Sequence, residues 1–372
     1  MASREQIPDL LLAIDPDVLD DAVDEQLLDA EDSVEESLRY EITSYGADYD
    51  VDGLVRRLRT GDIKIPEFQR GYVWPIKQAS RFIESLLLGL PVPGIFLSNE
   101  PGTNKLLVID GQQRLTTLRL FMEGIWPGNR KEFALTDVQP GLLGKTHKTL
   151  EEEHRRVLEN SIIHATVVKQ TDPQDGGSGI YKIFERLNSS GMLLSPQEIR
   201  TAIYGGSLSK LLGKLNDNPR WRLLFGPVNK RMRDQELILR FLALWRDEAI
   251  YERPMKSFLN KFMNENRAMD ATDCATMEKG FVDSVEFAHG VLGEKAFKPV
   301  KAFNAAVFDA VMTGIAHRLD KGPVLDLRSF NDAYKRLMSD ETFVIETSRS
   351  TANDETVKKR LSAALTAFGS IA

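Results

Sequence analysis

The chain has 372 residues, room for two domains of ordinary size, and 42% of them are apolar and 28% charged, as in a globular protein. A single cysteine, Cys274, excludes an intrachain disulfide and any Cys-x-x-Cys metal knuckle. No apolar run reaches the ~18 residues of a membrane span, and the best stretch, 86–97, is cut by Gly89, Pro91, Pro93 and Gly94. The opening MASREQIPDL lacks the basic and long apolar regions of a secretory signal, so a cytoplasmic protein without membrane contact is expected.

The net charge of -7 is unevenly spread. Residues 1–50 hold 16 Asp/Glu and 2 Lys/Arg, whereas the rest hold 39 and 46. An acidic arm therefore precedes a mildly basic body. Within the arm, Leu10, Leu11, Leu12, Ile14, Val18, Leu19, Val23, Leu27 and Leu28 recur at partly helical spacing. Either the arm is a solvated leader, or it forms one or two short helices that cover a basic groove or recruit a partner.

Residues 51–172 read as an α/β domain. VDGLVRRLRT suggests a short helix, Gly61-Asp62 a turn, and the next residues a strand ending at Pro66. After Trp74-Pro75, the spacing of Ile76, Phe82, Ile83, Leu86 and Leu87 predicts a helix that Gly89 stops. Strands are expected at 95–97, 106–109 and 161–169, with an amphipathic helix carrying Leu115, Leu118, Phe121, Met122 and Ile125. The polar break at 172–179 marks a connection or boundary. From 180 to 372 helical periodicity dominates, at 233–247, 255–264, 276–292, 298–318, 328–338 and 355–369. Ser195-Pro196-Gln197-Glu198 reads as a helix start with a capping box. The expected fold class is α+β, an α/β domain followed by a helical one.

Three segments carry candidate chemistry. Asp110-Gly111-Gln112-Gln113-Arg114 follows the apolar strand LLVI and opens the helix LTTLRLF. Free N–H groups and the positive end of the helix dipole make such a turn an anion site. Gly111 admits a close approach of the backbone. Gln112 and Gln113 can donate to phosphate oxygens and Arg114 can grip them as a fork. Asp110 can hold a metal ion or orient a water, and Thr116 and Thr117 add hydroxyls. The alternative is local: Asp110 caps the helix and the glutamines face solvent.

Pro66-Glu67-Phe68-Gln69-Arg70-Gly71-Tyr72-Val73-Trp74 repeats Gln-Arg beside aromatics. Arg70 can reach a second phosphate, with Tyr72 or Trp74 stacking on a base or sugar. Equally, Phe68, Val73 and Trp74 can be core and Arg70 part of a salt bridge. In the third segment, Asn188 to Gly191 is a polar turn that either reaches into a site or joins two helices. There is no Walker GxxxxGK[ST], no HExxH, no Gly-x-Ser-x-Gly elbow, and no His-Asn-His arrangement among the five histidines.

The blocks IPEFQRGYVW, SLLLGLPVP, LLVIDGQQRLTTL and IFERLNSSGMLLSPQEIRTAIYGG, in this order and spacing, resemble the N-terminal domain family of GmrSD-type restriction endonucleases, over roughly residues 50–265. The resemblance implies a ParB/sulfiredoxin-like α/β fold with a helical extension, acting in defence against phage and foreign DNA. It links the DGQQR block, here Asp110, Gly111, Gln112, Gln113 and Arg114, to nucleoside triphosphate binding and hydrolysis. It places Gln69 and Arg70 in the same pocket, and Asn188 and Arg200 match its pattern. Full-length members carry a C-terminal HNH nuclease, and no such motif is legible after residue 265, so any DNA cleavage is expected from a separate nuclease subunit.

Two functions follow as expectations. One is an NTP-hydrolysing regulator or DNA sensor, with Gln69, Arg70, Gly111, Thr116 and Asn188 binding nucleotide, Mg2+ neutralising the phosphates at Asp110, and Asp110 preferred over Glu67 as general base. The other is a DNA-binding module without turnover that recruits a nuclease, its phosphate site holding backbone phosphate.

Overall fold

The computed structural model describes residues 42–372 apart from 67–71, 101–102, 104, 128–130, 171–177, 188–193, 300–301 and 349–352. Glu67, Gln69, Arg70, Asn188 and the helical pattern in the acidic arm thus lie outside the described residues. The chain folds as two compact units, one comprising Arg39–Ile203 and one that includes Tyr204–Ala372.

The first unit runs β1 (Ile42–Asp50), α1 (Val51–Thr60), β2 (Ile63–Lys64), α2 (Ile76–Leu87), β3 (Ile95–Asn99), β4 (Leu106–Asp110), α3 (Gln112–Glu123), α4 (Glu152–Glu159), β5 (Ile162–Gln170), α5 (Ser178–Leu187) and α6 (Pro196–Ile203). Its sheet has the order β1-β5-β3-β4-β2. The pairs β1–β5 and β3–β4 are antiparallel, and β5–β3 and β4–β2 are parallel.

Alternation along the strands feeds two cores. On one face Leu97, Val108, Ile163 and Val167 pack with Leu54 of α1, Ile83 of α2, Leu115 and Phe121 of α3, and Leu158 of α4. On the other face Ile109 and Val168 pack with Ile180, Tyr181 and Phe184 of α5 and Ile199 of α6. The helices beyond the polar break therefore cover the sheet of the first unit. The capping box at the start of α6 forms as the sequence suggests: Ser195 N–H donates to Glu198 Oε2 at 2.6 Å, and Glu198 N–H donates to Ser195 Oγ at 3.2 Å.

Residues 42–50, which composition assigns to the acidic arm, form the edge strand β1. Most of its residues are exposed, so no apolar alternation betrays it. It is held by a nine-residue register with β5, from Ile42 opposite Gln170 to Asp50 opposite Ile162. Asp50 then caps α1 by accepting the Gly53 N–H.

The second unit, among its described residues, is helical: α7 (Ser207–Asn216), α8 (Pro219–Phe225), α9 (Arg233–Asp247), α10 (Met255–Glu265), α11 (Ala271–Phe287), α12 (Ala305–Leu319), α13 (Leu327–Ser339), α14 (Glu341–Glu346) and α15 (Asp354–Gly369). The fold class is therefore α+β with a helical C-terminal region. Caps move two boundaries away from the sequence periodicity. Asp270 starts α11 at Ala271 instead of 276, and Asn304 starts α12 at Ala305 instead of 298. At its centre Asp309 accepts from Arg240 Nε at 3.2 Å, from Arg240 NH2 at 2.6 Å and from Arg360 NH2 at 3.1 Å, all three residues being buried. No helix among the described residues is long and apolar enough to cross a membrane.

Candidate functional site

The site begins at a bulge. Phe96 pairs with Asp110 and Leu97 with Val108, so Ile109 is the extra residue on β4. A bulge at a strand end re-aims the side chains that follow it, and here the next residue is Asp110. Gly111 then takes φ 99 and serves as the N-cap of α3. A Cβ on Gly111 would lie 2.4 Å from Ile95 Cγ2. Both the backbone angle and the packing on β3 therefore require glycine.

Gly111 has no side chain, and the start of α3 has no side-chain cap. The local alternative in which Asp110 caps this helix is not the observed arrangement. Asp110 instead pairs with Arg114 one turn on, NH2 to Oδ2 at 2.6 Å. The same NH2 donates to the carbonyl of Gly94 at 3.0 Å. Arg114 is largely buried, its side chain 16% exposed, while the Asp110 side chain is 47% exposed. Arg114 Nε is buried without a hydrogen-bond partner. One edge of the guanidinium is thus committed to the fold. The first-turn amides of α3 keep the partial positive charge of an uncapped helix start.

The two glutamines diverge. Gln112 sits half-buried at the first helical position. Gln113 Oε1 accepts the backbone N–H groups of Val73 at 3.0 Å and Trp74 at 3.3 Å. Its carbonyl accepts the Thr117 hydroxyl at 2.7 Å, and Thr117 Oγ1 lies 2.8 Å from the Tyr72 hydroxyl. Burial pushes the Tyr72 phenol up to about 12, against the lowering effect of that hydrogen bond. Tyr72 also meets Trp126 edge to face at 5.4 Å, and Trp74 meets Phe82 at 5.7 Å. Residues 72–74 are therefore docked on the DGQQR helix, and both aromatics serve packing rather than an open stacking platform. Thr116 is buried and does not share the exposed position of Asp110.

Arg200 is buried on α6 over the Tyr181 ring at 6.0 Å, with NH1 3.4 Å from Gln197 Oε1. The Gly94 carbonyl, which accepts from Arg114, has no mark in the DGQQR pattern itself. Gly94 ends the irregular Pro91-Val92-Pro93-Gly94 segment that leads into β3, and nothing in that segment marks it as a partner for Arg114. Among the described residues no group of three His, Cys, Asp or Glu side chains is placed to hold a metal ion. A lone carboxylate such as Asp110 suits a Mg2+ shared with substrate phosphates, which needs only one or two protein carboxylates.

The glycine-led, uncapped start of α3 thus stands beside a largely buried arginine on an α+β domain. Residues 51–205 match the family model described as GmrSD restriction endonuclease, N-terminal domain. No curated protein matches the chain. That family is named for restriction endonucleases, enzymes that act on DNA.

Proposed function

We propose that this domain binds a nucleoside triphosphate at the start of α3 and hydrolyses it to regulate DNA engagement in a restriction-type system. The observation that supports this most directly is the uncapped α3 start, where Gly111 at φ 99 brings the backbone against Ile95 and Arg114 stands one turn in. The amides of the first turn and the Gln113 amide Nε2 donate to phosphate oxygens. Arg114 positions Asp110 through their ion pair and adds positive charge beneath the phosphates. Asp110 Oδ1 is the oxygen available for a Mg2+, which when bound supplies neutralising charge for the phosphates. Gln69, Arg70 and Asn188 complete the nucleotide contacts in this reading. Nucleotide occupancy acts as a switch because bound and hydrolysed states make different contacts with these groups.

The test is phosphate release from the four nucleoside triphosphates with Mg2+, with and without duplex DNA, in wild type and Arg114→Ala. Turnover that Arg114→Ala abolishes supports the reading, and stimulation by DNA marks a sensor. A second reading draws on the half-exposed position of Asp110, since an open anion site also suits a DNA backbone phosphate. In that case wild type shows no turnover but binds DNA with a steep salt dependence, and any nuclease is a separate protein.

A further inference from the structure

The sheet of the first unit has two edges of different character. β2 is two residues long, carries Lys64 and runs on towards Pro66, features that discourage a further strand from pairing. β1, at the other edge, spans nine residues, ITSYGADYD, with no Lys, Arg or Pro. Its register with β5 is unbroken, so no bulge twists the edge away. Among the described residues no strand pairs with its outer side. The Tyr45 residue on this strand is 51% exposed.

The ladder fixes which backbone groups face outward. Val51 N–H donates to the Ser161 carbonyl at 3.1 Å, one step beyond the Asp50–Ile162 pair. Bonding alternates along an antiparallel ladder. Thr43, Tyr45, Ala47 and Tyr49 therefore bond to β5, and Ile42, Ser44, Gly46 and Asp48 turn their N–H and C=O groups to the open edge. An antiparallel copy of β1 fits that edge about a two-fold axis at Gly46. Gly46 then lies opposite itself, Ser44 opposite Asp48 and Ile42 opposite Asp50, so outward groups meet outward groups. Tyr45 lies opposite Ala47 and Thr43 opposite Tyr49, the second an aromatic–β-branched pair of the kind that stabilises sheets. Gly46 lies against the His164 ring, where a Cβ would come within 2.9 Å of Cε1, and with glycine at the dyad no side chains collide there. Charge selects the same arrangement. A parallel, in-register copy sets Asp48 on Asp48 and Asp50 on Asp50, and like charges directly opposite destabilise a ladder. The antiparallel dyad sends the two acidic ends apart, and Asp48 is held within its own copy, Oδ1 lying 2.8 Å from His164 Nδ1. Residues 1–41 of the same chain hold 14 Asp/Glu against 2 Lys/Arg, no complement to an edge whose charges are Asp48 and Asp50.

We propose that a second copy of this chain docks on β1, the two β1 strands pairing antiparallel about Gly46 and carrying one sheet through both copies. The contact is isologous, so it closes at a dimer. A strand pair with its flanking side chains stands at the small end of specific interfaces, and association in the micromolar range is expected. The inference does not depend on the nucleotide reading above.

The experiment is sedimentation velocity from the low to the high micromolar range on full chains of wild type, Ser44→Pro and Tyr45→Lys. Ser44→Pro removes an outward N–H, a change that edge strands tolerate, and Tyr45→Lys adds the kind of charge that guards natural edges. Both are expected to keep the wild-type thermal midpoint and to raise the dimer dissociation constant by about 10-fold or more. Amide hydrogen exchange read by NMR supplies a second measurement with an alternating pattern. The Thr43, Tyr45 and Ala47 amides are expected to be protected at every concentration, and those of Ser44, Gly46 and Asp48 only where the dimer forms. A wild type that stays monomeric throughout overturns the proposal. A dimer that both variants leave intact overturns it too, since that dimer is built elsewhere. Protection of Ser44, Gly46 and Asp48 in the monomer assigns the edge to another part of the same chain and likewise overturns it. Should Ser44→Pro unfold, Tyr45→Lys and the amide pattern decide.

Discussion

The side-chain oxygen of Gln113 accepts the backbone N–H of Val73 at 3.0 Å, joining two segments 40 residues apart in the chain. Trp74 N–H shares the same oxygen. The second glutamine of DGQQR is therefore the latch that holds residues 72–74 to α3. Gln113→Glu retains an acceptor and Gln113→Leu does not. The leucine variant is expected to lose about 1 kcal/mol, the net value of such a bond, and the glutamate variant less. Urea midpoints of the two variants check this, and equal losses would show that the acceptor is not what matters. The glutamate variant should also bind nucleotide more weakly, since it replaces the Nε2 donor with a negative charge.

Gly111→Ala should fail on two counts. The residue would hold φ 99, and its new methyl would press on Ile95 Cγ2 at 2.4 Å. Overpacking of this kind costs about 1–3 kcal/mol, with backbone strain added. Denaturant unfolding should show that loss, and nucleotide binding should fall further than stability does. Gly124→Ala is the matched control, since Gly124 has φ 74 but no atom within 4 Å of its ideal Cβ.

Two histidines should give opposite pH signatures. The His317 pKa is raised above 6.5, first by its hydrogen bond to Glu248, against desolvation. Its contribution is full below the unfolded pKa and is lost as pH rises through the folded value. His317→Gln should therefore lower the thermal midpoint at about pH 5 and leave it unchanged at about pH 9. The His147 pKa is lowered below 6.5 mainly by burial, against the pull of Glu159. Its contribution holds above the unfolded pKa and is lost as pH falls through the folded value. His147→Gln should flatten that acid-side loss.

Asp309 in the second unit balances two buried cations, Arg240 and Arg360. Burial works against the charge on Arg240, and Asp309 more than offsets it, so its pKa is raised. For Arg360 burial wins and the pKa is lowered. Removing one partner of a buried pair costs about 3–5 kcal/mol because a charge is left uncompensated. Asp309→Ala leaves two such charges, whereas Arg360→Met leaves the Arg240–Asp309 pair whole. The first should be clearly less stable than the second by thermal unfolding, and a reversed order would discount the carboxylate's role.

The strand–turn–helix geometry of DGQQR was legible in the sequence because its signal is local. An apolar strand, one glycine and an amphipathic helix in succession fix the turn, and the structure forms β4, Gly111 and α3 in that order. The helix at 233–247 was equally plain, since ten of its fifteen residues are buried. Strand β1 was not, because an exposed edge strand draws its stability from the backbone ladder and leaves no apolar period to read. Short helices such as α8 and α14 escaped for a related reason: fewer than two full turns give too few positions to establish a period.

Composition and pattern by themselves determined the α+β class, the helical C-terminal region, the DGQQR turn and the capping box of α6. These depend on residues within one or two helical turns of each other, where spacing alone decides which groups meet. The tertiary structure decided the partners: Gln113 with Val73, Arg114 with Gly94, and Asp48 with His164 across 116 positions of sequence. The Asp48–His164 contact is set by the β1–β5 register, and the bulge between β3 and β4 precedes Asp110 and α3. Strand order is fixed only when both faces of the sheet find their helices, and that balance of packing has no local signature.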